Sequence, residues 1–354
     1  MSSSLSREVS VSLPVRFGVV HDFRCPPGSE FTMRDVYAQT IEQVVLMDQH
    51  GLDLAWFSEH HFVDDGYLPN FVPVAAAVAA VTKNIRMSTD VALSSFAHPL
   101  RMAEDMAILD LISGGRMELG LGLGYAPHEF KAFGVPLKHR ASLMDELLEV
   151  LQLAWSGERF SFHGKRWQFD DVRVTPDPVQ PGGPPLWLAM SSPAGVARAV
   201  RFGMHILPQG PVDMLAEWRD ALSAAGQDPV ERRRGIIRTF FVTDDRDRDW
   251  PPLREAERYR MQVYGGFSED AGTGGKEKFN EPDRIPQRVV IGDVDHCVAE
   301  MTRFITDYDL TDVVTWGSAP GMQPVSFTPS MERFAREVVP GVRAALAAGT
   351  SIGS

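Results

Sequence analysis

Short runs of apolar, often β-branched residues alternate with longer amphipathic runs along most of the chain. Val15–Val20 is brief and nearly all apolar, as a buried strand is. Arg34 to His50 then places Tyr37, Ile41, Val44 and Met47 at helical spacing, with Gly51 as a natural stop. The unit recurs as strand Asp53–Phe57 with helix Asn70–Thr82, and as strand Ile85–Leu93 with a helix opened by His98-Pro99 and closed by Gly114-Gly115. Arg116–Gly122 pairs with Arg140–Trp155, Leu186–Met190 with Pro193–Phe202, and Met204–Leu207 with Val212–Ala225. Strand Gly235–Thr243 comes before helix Cys297–Tyr308, and strand Asp312–Trp316 before helix Phe327–Ala347.

Two stretches depart from the alternation. Phe160, Phe162, Trp167 and Phe169 alternate around a His163-Gly164-Lys165 turn, which predicts a small antiparallel hairpin within an insertion over 158–183. Tyr264 to Arg288 carries Gly265-Gly266, Gly272, Gly274-Gly275, Pro282 and Pro286, which predicts a long lid loop over 264–288 after the seventh strand. A mobile insertion without a role is the alternative for that loop.

Eight strand–helix units around one core predict an α/β fold, a (β/α)8 TIM barrel in a single domain over 15–348. Residues 1–14 are expected to form a flexible arm. A doubly wound open sheet is the rival, but it would show fewer units and one glycine-rich nucleotide turn.

Composition narrows the function classes. Lys and Arg number 35 against 47 Asp and Glu in 354 residues, a formal charge of −12. That balance speaks against a nucleic-acid binder. Cys25 and Cys297 are too few for a disulfide scaffold or a four-cysteine metal site and suit a reduced, cytoplasmic protein. No run approaches the roughly 18 apolar residues of a membrane span, and the Ser-rich first residues lack the apolar core of a secretory signal.

On a barrel, chemistry sits just beyond the strands. After strand two comes Ser58-Glu59-His60-His61-Phe62. Adjacent histidines point to opposite sides of an extended chain, so no metal is expected; His60 suits proton transfer, and His61 suits a structural role. Asp90 interrupts an apolar run, so if buried it needs donors or a ligand, and a register slip of one would place it at the surface. Gly120, Gly122 and Gly124 alternate with leucines and lack dinucleotide-fingerprint spacing, while permitting close approach of a flat ligand. Ser191-Ser192-Pro193-Ala194-Gly195 joins a strand to a helix start and offers hydroxyls and free N–H groups to a phosphate.

Taken together, AWFSEHHF (55–62), IRMSTDVAL (85–93), HPLRMAEDMAILDLISGGRMELGLGLG (98–124), Glu129-Phe130 with Phe133-Gly134, PPLWLAMSS (184–192) and IGDVDHCVAEM (291–301) resemble the luciferase-like flavin-dependent monooxygenases. The resemblance implies a flavin-dependent monooxygenase that uses reduced FMN and O2 to oxygenate a small organic substrate through a C4a-(hydro)peroxyflavin. It makes His60 the catalytic acid/base. Cofactor contacts are expected from Glu59, Asp90, Val91, Gly122, Leu123, Gly124, Tyr125, Ser191, Ser192 and Gly195, with the Asp90–Val91 peptide often cis in relatives. His21, Phe23, Phe62, Phe96 and Gln209 are expected to line the substrate pocket. The implied partners are a separate NAD(P)H:flavin reductase and a second copy in a homodimer.

The chain departs from some relatives. Leu123 and Gly124 stand where some carry an arginine paired with the flavin phosphate, and Gly122 where some carry a cysteine. Those losses leave room for the deazaflavin F420, and thus for an F420-dependent reductase or dehydrogenase. A non-catalytic flavin-binding barrel is the third reading. EHHF resembles the FMN branch more than the F420 branch.

Overall fold

The computed structural model describes residues 13–208, 213–272 and 289–349. Parallel strands β1 (Arg16–His21), β2 (Leu54–Phe57), β3 (Arg86–Thr89), β4 (Ala92–Leu93) and β5 (Leu119–Gly122) come from the first third. An antiparallel pair, β6 (Phe160–His163) and β7 (Gln168–Val172), comes before β8 (Leu186–Met190) and β9 (His205–Pro208). Then follow β10 (Gly235–Ile237), β11 (Thr239–Val242), β12 (Val289–Gly292) and β13 (Asp312–Trp316).

One parallel sheet has the order β10-β13-β1-β2-β3 and another β4-β5-β8-β9, while β11 pairs with β12. Isolated parallel bridges, Met87 to Met117 and Ile206 to Arg234, connect the first two at both edges, making one curled parallel sheet. Helices α1 (Met33–Gln49), α2 (Phe71–Val81), α3 (Pro99–Ser113), α4 (Pro127–Ala132), α5 (Arg140–Ala154), α6 (Pro193–Arg201), α7 (Asp213–Ala224), α8 (Arg246–Asp270) and α9 (Val294–Tyr308) connect the strands. The described chain closes with α10 (Pro324–Arg333), a π-helical turn and α11 (Val339–Ala347).

The period of two along each strand divides the residues between two cores. Val20, Leu54, Trp56, Trp187, Leu207, Val314 and Trp316 pack together inside the curl. Val19, Ala55, Phe57, Leu119 and Val313 pack outward into the larger core with the helices. Glycine makes the inner packing possible: a Cβ on Gly235 would lie 2.6 Å from the Trp56 ring, and one on Gly18 2.2 Å from Leu54 O. Thr32 and Asp35 form a capping box on α1, and Pro99 with left-handed Gly114 brackets α3.

Below the tryptophans the inner positions are charged. Glu118 takes hydrogen bonds from Arg16 (2.7 Å), Arg86 (2.5 Å) and Trp187 (2.7 Å), and Arg16 also donates to Asp312 (2.5 Å). Inside the curl this network closes the end of the sheet away from the strands' carboxyl ends.

Several predicted elements are corrected. The strand over 85–93 breaks at Asp90–Val91, a cis peptide, into β3 and β4. The seventh strand divides at Arg238 because β10 pairs with β13 and β11 with β12. Tyr264–Asp270, expected in a loop, is the end of α8, a 25-residue helix. The remainder of the expected loop lies outside the described residues from 273 to 288, as do residues 1–12 of the expected arm.

Candidate active site

The inner-face register continues past the carboxyl ends of the strands. Trp56 leads to Ser58 and His60, Ser88 to Asp90, Gly120 to Gly122 and Gly124, and Ala189 to Ser191. Those end positions line a cavity of about 810 Å³, together with Glu59, Val91, Leu123 and Tyr125. A second hollow, about 870 Å³, lies along β11, β12 and α9. Its arginines are engaged, Arg303 with Glu300 and Arg238 over Phe304.

His60 is buried, and its Nδ1 lies 2.9 Å from Glu129 Oε1. The same oxygen accepts the His61 backbone N–H at 2.8 Å. A carboxylate only accepts, so the hydrogen belongs on Nδ1 and Nε2 is the ring nitrogen left for another group. Tyr67, Tyr264 and Phe267 pack around the imidazole at centroid distances of 5.0, 6.0 and 5.0 Å. Ser58, Tyr67 and Tyr264 form a hydroxyl chain with spacings of 2.6 and 2.8 Å. Burial raises the pKa of both tyrosines, keeping them neutral donors.

His61 turns away from His60. It packs against Phe96 and Phe133 while its Nε2 lies 3.3 Å from Glu59 Oε1. Glu59 Oε1 also accepts the Leu93 N–H, holding the end of β2 beside β4.

Asp90 is buried with no hydrogen bond to Oδ2, and burial pushes its carboxyl up to about 7. Beside Val91, Gly122 and Gly124 present backbone instead of side chains to the cavity, and Gly124 is left-handed. Ser191 lines the cavity where β8 ends, and Ser192 caps α6 by accepting from Gly195 N. Arg140, at the start of α5, also lines the cavity and makes no ion pair among the described residues.

This arrangement fits a flat, phosphate-bearing cofactor. Asp90 offers an unsatisfied oxygen to a polar ring edge, the Gly122–Tyr125 segment lines the cavity beside it, and Arg140 and Ser191 suit a phosphate. Arg140 supplies a cation despite the missing strand-four arginine.

Several expected residues stand elsewhere. His21 is fully buried under Gly317, and burial followed by the charge of Arg260 lowers its pKa to about 3. Phe23 is buried in the outer core against Tyr37 and Phe57. Phe62 is 60% exposed, and Phe96 stacks on Phe133; neither lines the cavity. Phe23 and Phe62 both have positive φ, so the chain turns at each of them as it leaves the strand ends. Ser192 and Gly195 serve the helix cap and are not in the cavity lining. Gln209 lies outside the described residues.

Sequence reasoning missed Glu129 as the partner of His60, and Arg140, Glu257, Arg260, Tyr264 and Trp316 as lining residues. Glu129 belongs to a stretch already singled out, Glu129-Phe130, and Tyr264 opens the expected lid, whereas nothing local marks Arg140, Glu257, Arg260 or Trp316.

Fold and site together define an α/β protein with a polar cavity beyond the carboxyl ends of a curled parallel sheet. The sequence profile of the family described as luciferase-like monooxygenase matches residues 15–304, and the chain belongs to that family. It is 28% identical to the oxygenase component of the flavin-dependent trigonelline monooxygenase of Acinetobacter baylyi, over 49% of each chain. Among solved structures, the oxygenating constituent of 3,6-diketocamphane monooxygenase from Pseudomonas putida, in complex with FMN, superposes with a TM-score of 0.76 at 21% identity. That match covers 93% of this chain and 98% of the other. An F420-dependent secondary alcohol dehydrogenase gives the same TM-score at 18% identity, covering 93% and 99%. The chain spans between 49% and 64% of the length of three curated relatives that it matches. Among the described residues no helix is long and apolar enough to cross a membrane.

Proposed function

We propose that the protein is the oxygenase of a two-component flavin-dependent monooxygenase, acting on a small organic substrate with reduced FMN and O2. The cavity containing both the His60–Glu129 pair and the otherwise unpaired Arg140 carries this reading. It combines a proton-handling group with a cation for a phosphate.

Reduced FMN, when bound, would supply the electrons that activate O2. Arg140 and Ser191 would hold its phosphate, and Asp90 with the Gly122–Tyr125 backbone would orient its ring. His60 would hold or deliver a proton at Nε2, with Glu129 fixing the tautomer through Nδ1. Tyr264 and Phe267 of α8 pack over His60 and keep water from it.

The proposal treats 15–348 as one (β/α)8 barrel with an insertion over 158–183. A separate NAD(P)H:flavin reductase would supply the reduced cofactor. A homodimer, as the resemblance implies, and a cytoplasmic location, as the two cysteines suggest, belong to the same reading.

The F420-dependent reading stays as the second one, because an F420-dependent enzyme shares the fold over nearly all of both chains. Fluorescence titration with FMN and F420 separates the two; FMN is expected to bind and F420 is not. With a flavin reductase, NADH and candidate substrates, oxygen uptake should be matched by oxygenated product. Uptake recovered wholly as hydrogen peroxide across the substrate panel would favour a non-catalytic barrel, and tight F420 binding a hydride-transfer enzyme.

A further inference from the structure

Arg260 is 1% exposed and lines the cavity, yet its Nε and Nη1 have no hydrogen-bond partner among the described residues. Its guanidinium lies 3.6 Å from the Trp316 ring centroid. One hydrogen bond is made, from Nη2 to Ser318 O at 2.9 Å. Asp22 and Glu257 approach the same nitrogen only to 3.8 and 3.7 Å, beyond hydrogen-bond reach. Stacking on the indole and the Ser318 bond fix the group while its other N–H donors remain unspent.

Buried donors left unmatched are rare, and they call for an acceptor. Arg260 stands over β13, whereas Arg140 and Ser191 belong to the β8 side of the cavity. The two cations therefore come from different parts of the cavity wall.

We propose that Arg260 anchors a carboxylate on the organic substrate, making a monocarboxylic acid the substrate class. The proposal rests on the cavity being the active site described above. A planar carboxylate matches the guanidinium donors in geometry and charge. Around Arg260 the charges are close to balanced, with Arg24 and Arg238 facing Asp22, Asp65 and Glu257. The attraction is therefore local, made of hydrogen bonds that the protein does not itself satisfy. The balance also disfavours a second negative charge, so a di-acid fits less well.

The test compares acids with their neutral isosteres, benzoate with benzamide and hexanoate with hexanamide. Binding to the FMN-loaded protein is followed by flavin absorbance changes and calorimetry. In at least one pair the acid should bind about tenfold or more tightly than its amide, as expected where a site's donors go unpaired with the neutral ligand. Arg260→Gln should abolish that preference while leaving FMN affinity unchanged. Equal or weaker binding of both acids, or an acid preference that survives Arg260→Gln, overturns the proposal. So does a loss of FMN affinity without a loss of riboflavin affinity in the variant, which would assign Arg260 to the cofactor phosphate. The wild-type comparison needs no variant, so it decides the matter even if Arg260→Gln does not fold. If FMN fails to bind, the same titrations on flavin-free protein separate the two ideas. An acid preference there keeps the carboxylate anchor while the flavin reading fails.

Discussion

His60→Ala is expected to lower product formation by about 10²- to 10⁴-fold, the range for removing a positioned acid or base, with FMN affinity unchanged. The expectation follows from placement. His60 lines the cavity, and its Nδ1 is already engaged by Glu129 at 2.9 Å. Only Nε2 remains to exchange a proton with a reacting group. Glu129→Gln should give a smaller loss, because a glutamine can still meet Nδ1 but no longer enforces one tautomer. Steady-state product assays alongside FMN titration read both effects. Product formation near the wild-type rate in His60→Ala would remove His60 from the chemistry.

The largest expected effect on stability comes from the other end of the curled sheet. Glu118 is buried, which by itself would raise its pKa, but Arg16 and Arg86 overcome that and hold it at about 2. Replacing one member of such a network leaves its partners buried and uncompensated, so Glu118→Gln should cost about 3–5 kcal/mol at pH 7. The melting temperature should fall by on the order of 10 °C. A carboxyl with a depressed folded pKa stabilises fully above its unfolded value of about 4.5 and loses that contribution as pH falls toward 2. The gap between wild type and Glu118→Gln should therefore be full at pH 7 and narrow at pH 3. Thermal unfolding at the two pH values checks this, and a gap that does not depend on pH would contradict it.

Much of the site was legible because strand periodicity does not stop where a strand does. Trp56, Ser58 and His60 form one register, as do Gly120, Gly122 and Gly124, and counting by twos reaches the cavity. The count fails where the backbone turns left-handed after His60, so Phe62, next in that register, points into solvent.

Helix α8 was hidden for a different reason. Pro251 and Pro252 fall at its sixth and seventh positions, and Gly265-Gly266 lies near its end, so local propensity speaks against a helix. Packing of Leu253, Ala256, Arg260 and Phe267 overrides that propensity. Arg260 and Tyr264 reach the cavity only through this tertiary choice. Arg140 likewise looked like an ordinary first residue of a helix, and only the curl of the sheet brings it near Ser191.

The most direct test of the account is diffraction from crystals soaked with FMN. The isoalloxazine ring is expected in the cavity lined by Asp90, Val91 and the Gly122–Tyr125 segment, with its phosphate beside Arg140 and Ser191. Density for the ring elsewhere on the molecule, or that cavity found filled by the protein's own side chains, would contradict it.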